Sequence, residues 1–241
     1  MNNRKKVAIL QSNYIPWKGV FDMINMVDVF IFFEDVDYTS RDWRSRNKIK
    51  TPAGDLWLTV PVKKAPRGTK IKDIEIVQNV DWQKKHYLSF VGNYSRAPFF
   101  SKYKYLLEDF YLNHVWTNLS EMNIYMTRTI SSILGISTEF MNSKDLETSG
   151  SKDDKLIEIC KKVGATDYLS GPAAKDYINN QKFIDAKIGL SYIKYDSYPS
   201  YTQLFGDFNP NVSIMDVLFN CGESARDYVF ASQEEKVINI I

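Results

Sequence analysis

Eight consecutive positions, Gln11 to Lys18, place side-chain amides (Gln11, Asn13), a phenol (Tyr14), an indole (Trp17) and an ammonium (Lys18) directly after a short apolar run, Val7 to Leu10. Such a set can hold an anion or the developing oxyanion of an acyl transfer, provided a strand there gives way to a helix whose first N–H groups are free. A second stretch, Ser170-Gly171-Pro172-Ala173-Ala174-Lys175, has the same character. Its Gly permits close backbone approach and its Pro suits a first helical position, so Ser170, Gly171 and Lys175 are binding candidates. A third cluster follows the apolar run Asp28 to Phe33. Glu34, Asp35, Asp37 and Tyr38 lead into Arg41, Trp43, Arg44, Arg46 and Lys48. Between residues 41 and 72 ten Lys or Arg face two acids, on a chain whose formal charge is only +2. A focused basic region on a near-neutral protein suits an anionic partner, and Arg's planar fork matches phosphate or carboxylate. Trp43 and Tyr38 beside it can stack on a base or a sugar.

Asp35 and Asp37 point to the same side of an extended segment. Magnesium binding, ribose hydroxyl binding and proton abstraction are all open to them, as are plain turn roles. His86 is the best general-base candidate by its ordinary pKa, and a structural role on a helix is its alternative. The common nucleophile and phosphate motifs, G-x-S-x-G, G-x-x-x-x-G-K-[ST] and G-x-G-x-x-G, do not occur.

Positioning these groups requires particular elements. Val7–Leu10 reads as a strand, Trp17–Met26 as a helix and Asp28–Phe33 as a strand buried on both faces, a parallel βαβ unit. Residues 47–50 and 56–62 form a hairpin around Thr51-Pro52-Ala53-Gly54, and Ile71–Val77 reads as a further strand. Helical periodicity follows over 82–93, 101–113 and 119–134. Ser137–Met141 reads as a strand, Asn142–Asp154 as a surface loop, and Ser151 with Asp154 as a capping box opening an apolar-striped helix that Gly164 closes. Asp167–Ser170 and Ser191–Tyr195 read as strands, with Gly171-Pro172 opening a helix between them. The expected fold is α/β and Rossmann-like. It has a mostly parallel sheet in one domain over residues 1–241, carrying a basic hairpin (about 41–77) and a helical block (about 82–135).

Composition narrows the function classes. With 44% hydrophobic and 25% charged residues, disorder and fibrous architectures are excluded. No apolar run reaches the roughly 18 residues of a membrane span, and no signal-peptide core follows the N-terminus, so a cytoplasmic location is expected. Two cysteines and two histidines leave no disulfide framework and no Cys- or His-based metal site.

Several longer segments resemble the WbqC-like family. They are Ala8 to Gly19, Asp37 to Arg44, Leu58 to Val62, Lys85-His86, Tyr168 to Tyr177 and Ser213 to Gly222, with departures at Ser12 and Phe205, where Pro and His are common. The resemblance implies a place in O-antigen and lipopolysaccharide synthesis and transfer of glycine or another acyl group onto an amino sugar. The first βαβ is also similar to nucleotidylyltransferase-like proteins, but Trp17-Lys18-Gly19-Val20 stands where those carry a His-x-Gly-His signature. The expected activity is amide formation on a nucleotide-linked deoxyamino sugar, with Asp35 or His86 as base, the two polar junctions as donors and the arginines on the diphosphate. It requires an activated acyl donor (ATP with an acid, acyl-CoA, or an aminoacyl-tRNA, tRNA entering only as donor). The alternative is a non-catalytic protein of the same pathway that binds a sugar nucleotide or a glycosyltransferase.

Overall fold

The computed structural model describes residues 4–196, 198–230 and 237–240. Strands β1 (Lys6–Leu10) and β2 (Val29–Phe32) flank helix α1 (Lys18–Asn25). Both strands are apolar at nearly every position because both faces are covered. Val7, Ile9, Val29 and Ile31 enter one core cluster and Ala8, Phe30 and Phe32 the other. Each fully buried Phe contributes roughly 1.5–3 kcal/mol relative to exposure.

After β2 the chain leaves the sheet. It makes the antiparallel hairpin β3 (Arg46–Thr51) and β4 (Gly54–Thr59), then α2 (Trp82–Tyr94), α3 (Phe100–Glu108) and α4 (Leu119–Ile133), before returning as β5 (Glu139–Asn142) beside β2. Then follow α5 (Lys152–Lys162), β6 (Asp167–Ser170), α6 (Asn180–Ala186), β7 (Gly189–Ile193), α7 (Ile214–Cys221), α8 (Ala225–Val229) and β8 (Val237–Asn239). The main sheet runs β5-β2-β1-β6-β7-β8; the first five strands are parallel and β8 is antiparallel at the edge. Numbered along the chain, the parallel strands lie in the order 3-2-1-4-5, the doubly wound arrangement, with its switch point between β1 and β6. The Rossmann-like reading therefore holds. Helix α1 and the helical block cover one face, while α5 and α6 cover the other.

Several local expectations are corrected. Ile71–Val77 is not a strand. Residues Ile71–Asp73 form a 3-10 turn, whose three-residue repeat buries Ile71 and Ile74 together, and only single bridges tie Ile76 to Val62 and Glu75 to Asn118. Pro172–Asp176 is likewise a 3-10 turn, and the true crossover helix is α6. Ser151 does precede α5, but its side chain makes no cap bond. Instead Glu158 reaches back to accept the Ser149 and Gly150 N–H groups, and Lys162 donates to the Leu146 and Glu147 carbonyls, so the 142–154 segment is tied to α5.

Candidate functional site

Because β1, β2 and β6 are parallel neighbours, the segments that follow them all emerge at one carboxyl edge of the sheet. At the switch point lies a cavity of about 680 Å³. It is floored by Leu10 and Gln11 from the end of β1 and by Ser170 and Gly171 from the end of β6. Phe33, Tyr168, Tyr177 and Tyr195 wall it, and Lys152 and Asp153 of the first turn of α5 stand at its rim. A second cavity of about 430 Å³ adjoins it on the α1 side, lined by Asn13, Trp17, Val20, Asn47, Lys48 and Asn211. Trp43 lines both.

Local structure explains how the second cavity is built. A Cβ at Gly19 would lie 2.0 Å from the Trp17 ring, so glycine at the start of α1 is what lets that indole fold back over the helix. The indole N–H donates to the Pro210 carbonyl at 2.6 Å, and Tyr195 and Tyr198 contact the ring edge-on at 5.0 and 5.5 Å. Asn47 is fully committed. Its amide donates to the carbonyls of Tyr14 and Ile15, fixing the 11–18 junction against the hairpin. The Trp43 carbonyl accepts the Tyr14 N–H at 2.9 Å from the opposite direction.

Of the residues singled out by sequence, Gln11, Asn13, Trp17, Trp43, Lys48, Ser170 and Gly171 thus converge on the two cavities. The others are placed elsewhere. Tyr14 is in the core, its hydroxyl 2.7 Å from His86 Nδ1 and 2.6 Å from the Tyr111 hydroxyl, and burial pushes its pKa well up. His86 lines neither cavity. It sits among Tyr14, Trp82 and Tyr111, and burial lowers its pKa to about 4. Lys18 lies buried with its ammonium 4.7 Å from the Tyr198 ring centre and 5.6 Å from those of Tyr201 and Phe208. Tyr38 is half-buried and donates to the Ser45 hydroxyl. Arg41 is exposed, Arg44 pairs with Asp42, and Arg46 lies 4.4 Å over the Trp57 ring. Lys175 is exposed with its ammonium 5.5 Å over the Tyr192 ring.

Asp35 stands beyond the end of β2, beside the larger cavity's Phe33. Its carboxylate meets Lys155 Nζ at 2.5 Å and accepts the Ser143 hydroxyl. Burial raises its pKa, but the hydrogen bonds from Lys155 and Ser143 outweigh that and leave it below the ordinary value. Its neighbour Glu34 is buried. It accepts both the N–H and the hydroxyl of Ser12, and burial raises its pKa overall. Asp37 pairs with Lys70 at the surface. Among the described residues no cluster of three or more His, Cys, Asp or Glu could hold a metal, and the two acids considered for magnesium each carry a lysine partner.

Residues 11–228 match the model of the WbqC-like protein family. The chain belongs to this family. The match opens on the Gln11 junction and includes the hairpin, the helical block and the Ser170 junction, so every residue lining the smaller cavity lies inside it. This WbqC-like chain is also 45% identical over 226 residues to an uncharacterised protein of Mycobacterium tuberculosis, Rv1507c, covering 93% of this chain and 97% of the relative. No solved structure matches it. Among the described residues, no helix is long and apolar enough to cross a membrane.

Several lining residues escaped the sequence reading. Tyr168 and Tyr195 belong to strand segments that were read, and the rule that ligands meet the carboxyl ends of parallel strands would have found them. Asn211 and Lys152 carry no local signal of the site, since tertiary packing alone brings them there.

Proposed function

We propose that this chain forms an amide on the amino group of a nucleotide-linked deoxyamino sugar in surface polysaccharide (O-antigen) synthesis, using glycine or a similar small acid delivered in activated form. The observation that carries the reading is the pair of adjoining cavities at the switch point. Together they offer room for a nucleotide-linked sugar and an acyl donor, and the Trp43 indole lines both. In this reading the neutral sugar amine attacks the acyl carbonyl, a C–N bond forms, the acyl C–O or C–S bond to the donor breaks, and the leaving group (phosphate or AMP, a thiol, or a tRNA hydroxyl) takes up the proton that the amine loses. The Gln11 amide and the Gly171 backbone face the developing oxyanion, while the Ser170 hydroxyl donates to the Tyr168 hydroxyl at 3.2 Å beside them. Desolvation in the cavity disfavours the ammonium and leaves the neutral amine, which is the nucleophilic form. Of the two base candidates, only Asp35 stands at the carboxyl edge, in an ion pair with Lys155, whose ammonium lies 5.8 Å from the ring centre of the cavity-lining Phe33.

A specific observation favours the second reading, a non-catalytic binder of a sugar nucleotide or a glycosyltransferase of the pathway. Asp35 is held as an ion pair and His86 is enclosed away from both cavities, so neither is a free base in the cleft. Mass spectrometry separates the two. Purified protein is incubated with nucleotide-linked amino sugars and, in turn, ATP plus glycine, acyl-CoA and glycyl-tRNA. Acyl transfer predicts a mass gain on the sugar that Asp35→Asn diminishes. Binding without a mass gain from any donor supports the binder instead.

A further inference from the structure

Trp43 combines a fixed backbone with a free ring. Its carbonyl is held by the Tyr14 N–H, while on the next residue the Arg44 N–H donates to the Asp42 side chain at 3.0 Å and the Arg44 carbonyl accepts from Asn123 at 2.8 Å. The side chain nevertheless remains 49% exposed, an unusual cost for an indole that packing could have covered. It lines both cavities, and Trp57 lies 5.4 Å away at 33°. Arg46 stacks on Trp57 and makes no hydrogen bond or ion pair among the described residues, so a cation stands uncommitted next to the aromatic pair. In the smaller cavity the carboxamides of Asn13 and Asn211 are likewise without side-chain partners among the described residues. A carboxamide offers both a donor and an acceptor, as the edge of a nucleobase does.

We propose that the smaller cavity is the nucleobase seat. The base stacks on the Trp43 indole and its edge is read by Asn13 and Asn211. Arg46, on the adjoining face of the hairpin, holds the diphosphate, joined by Lys48 as its ammonium exchanges Asp55, 3.0 Å away, for the ligand, and the sugar passes Trp43 into the larger cavity. The division of the cleft follows from its chemistry: the hairpin side supplies cations and carboxamides, whereas the β6 side supplies tyrosine and serine hydroxyls suited to a sugar. The inference rests on the nucleotide-sugar reading above, but its base-binding half is testable without any transfer reaction.

The probes are UDP, ADP, uridine and ribose 5-phosphate, followed by tryptophan fluorescence and calorimetry on the full chain. A nucleoside diphosphate is expected to bind and ribose 5-phosphate to bind far more weakly. Trp43→Ala is expected to raise the nucleotide Kd about tenfold or more, and Trp43→Phe to recover most of the loss, as stacking requires. Asn13→Ala with Asn211→Ala should flatten the preference between UDP and ADP, and Arg46→Gln should weaken UDP more than uridine. The seat is refuted if Trp43→Ala binds nucleotide like wild type, if ribose 5-phosphate binds as tightly as UDP, or if only RNA oligonucleotides bind. Failure of the two readings is distinguishable. Trp43-dependent UDP binding without any amide product keeps the seat and removes the transfer reaction. Equal amide formation on a sugar 1-phosphate lacking the base removes the seat and keeps the chemistry.

Discussion

His86 supplies a quantitative test of the core. It is 6% exposed, and burial holds its pKa at about 4 in the fold, against 6.5 for the free side chain. The folded state therefore prefers the neutral ring. Above the unfolded pKa both states are neutral and the stabilisation is fully present. As pH falls through 6.5 the unfolded chain takes up a proton that the fold refuses, and stability declines until the folded ring itself protonates near 4. Each pH unit in that window costs about 1.4 kcal/mol, and the whole window about 3 kcal/mol. His86→Gln keeps a polar side chain of similar size beside Tyr14 while removing the titration. Urea unfolding of both proteins at about pH 7.5, 6 and 5 measures the difference. Wild type should lose about 2 kcal/mol more than the variant between the upper and lower values. Other titrating groups are common to both proteins and cancel. Parallel pH profiles for the two proteins, or an imidazole that titrates near 6.5 by NMR in the native state, would refute the reasoning.

Asp216, 1% exposed, accepts hydrogen bonds from Tyr94, Tyr201, Gln203 and Asn220, so Asp216→Ala strands several buried donors. We expect a loss of about 3 kcal/mol or more in denaturant unfolding, against about 1 for Tyr201→Phe, which removes one donor only. Gly19→Ala should expel the Trp17 indole from its seat on α1, detected as a changed tryptophan emission and a weakened nucleotide affinity, while α1 itself persists by circular dichroism. Burial pushes the thiols of Cys160 and Cys221 up to about 12, so both should resist a thiol reagent at neutral pH in the native protein and react on unfolding.

The parts of the fold that could be read in advance are those whose pattern is imposed locally. The βαβ start is legible because β1 and β2 are covered on both faces and so carry almost no polar residues. Helix α4 is legible because its stripe of Leu119, Met122, Met126 and Ile130 faces a single core. Ile71–Val77 misleads because isoleucines two and three apart suit a strand and a 3-10 turn alike. Edge strand β8 escapes because its three residues, two half-buried and one exposed, carry no usable period. The same division runs through the site. Gln11 and Asn13 stand just after a strand that can be recognised and Ser170 ends another, where topology alone predicts a cleft. The Trp82–His86 contact follows from their i,i+4 spacing on α2, whereas the meeting of Tyr14 with His86 and Tyr111 joins residues 72 and 97 positions apart, which no spacing near Tyr14 announces.

The excursion between β2 and β5 has a bearing on how the molecule assembles. Residues 33 to 138 leave one strand and return to its immediate parallel neighbour, so the two ends of the detour lie side by side in the sheet. Closing a loop costs only about (3/2)RT ln n, so about a hundred residues in place of a ten-residue crossover adds roughly 2 kcal/mol to the closure entropy. Kinetically the burden is larger, because pairing of β2 with β5 is a contact of very long sequence separation. A folding order follows in which β1 and β2 pair early, the hairpin and the helical block fold on their own local contacts, and β5 docks late. The loop that carries Trp43 does not wait for that docking, since its bonds run to the 11–18 junction and to Asn123 of α4, so the indole can be in place before the sheet edge closes.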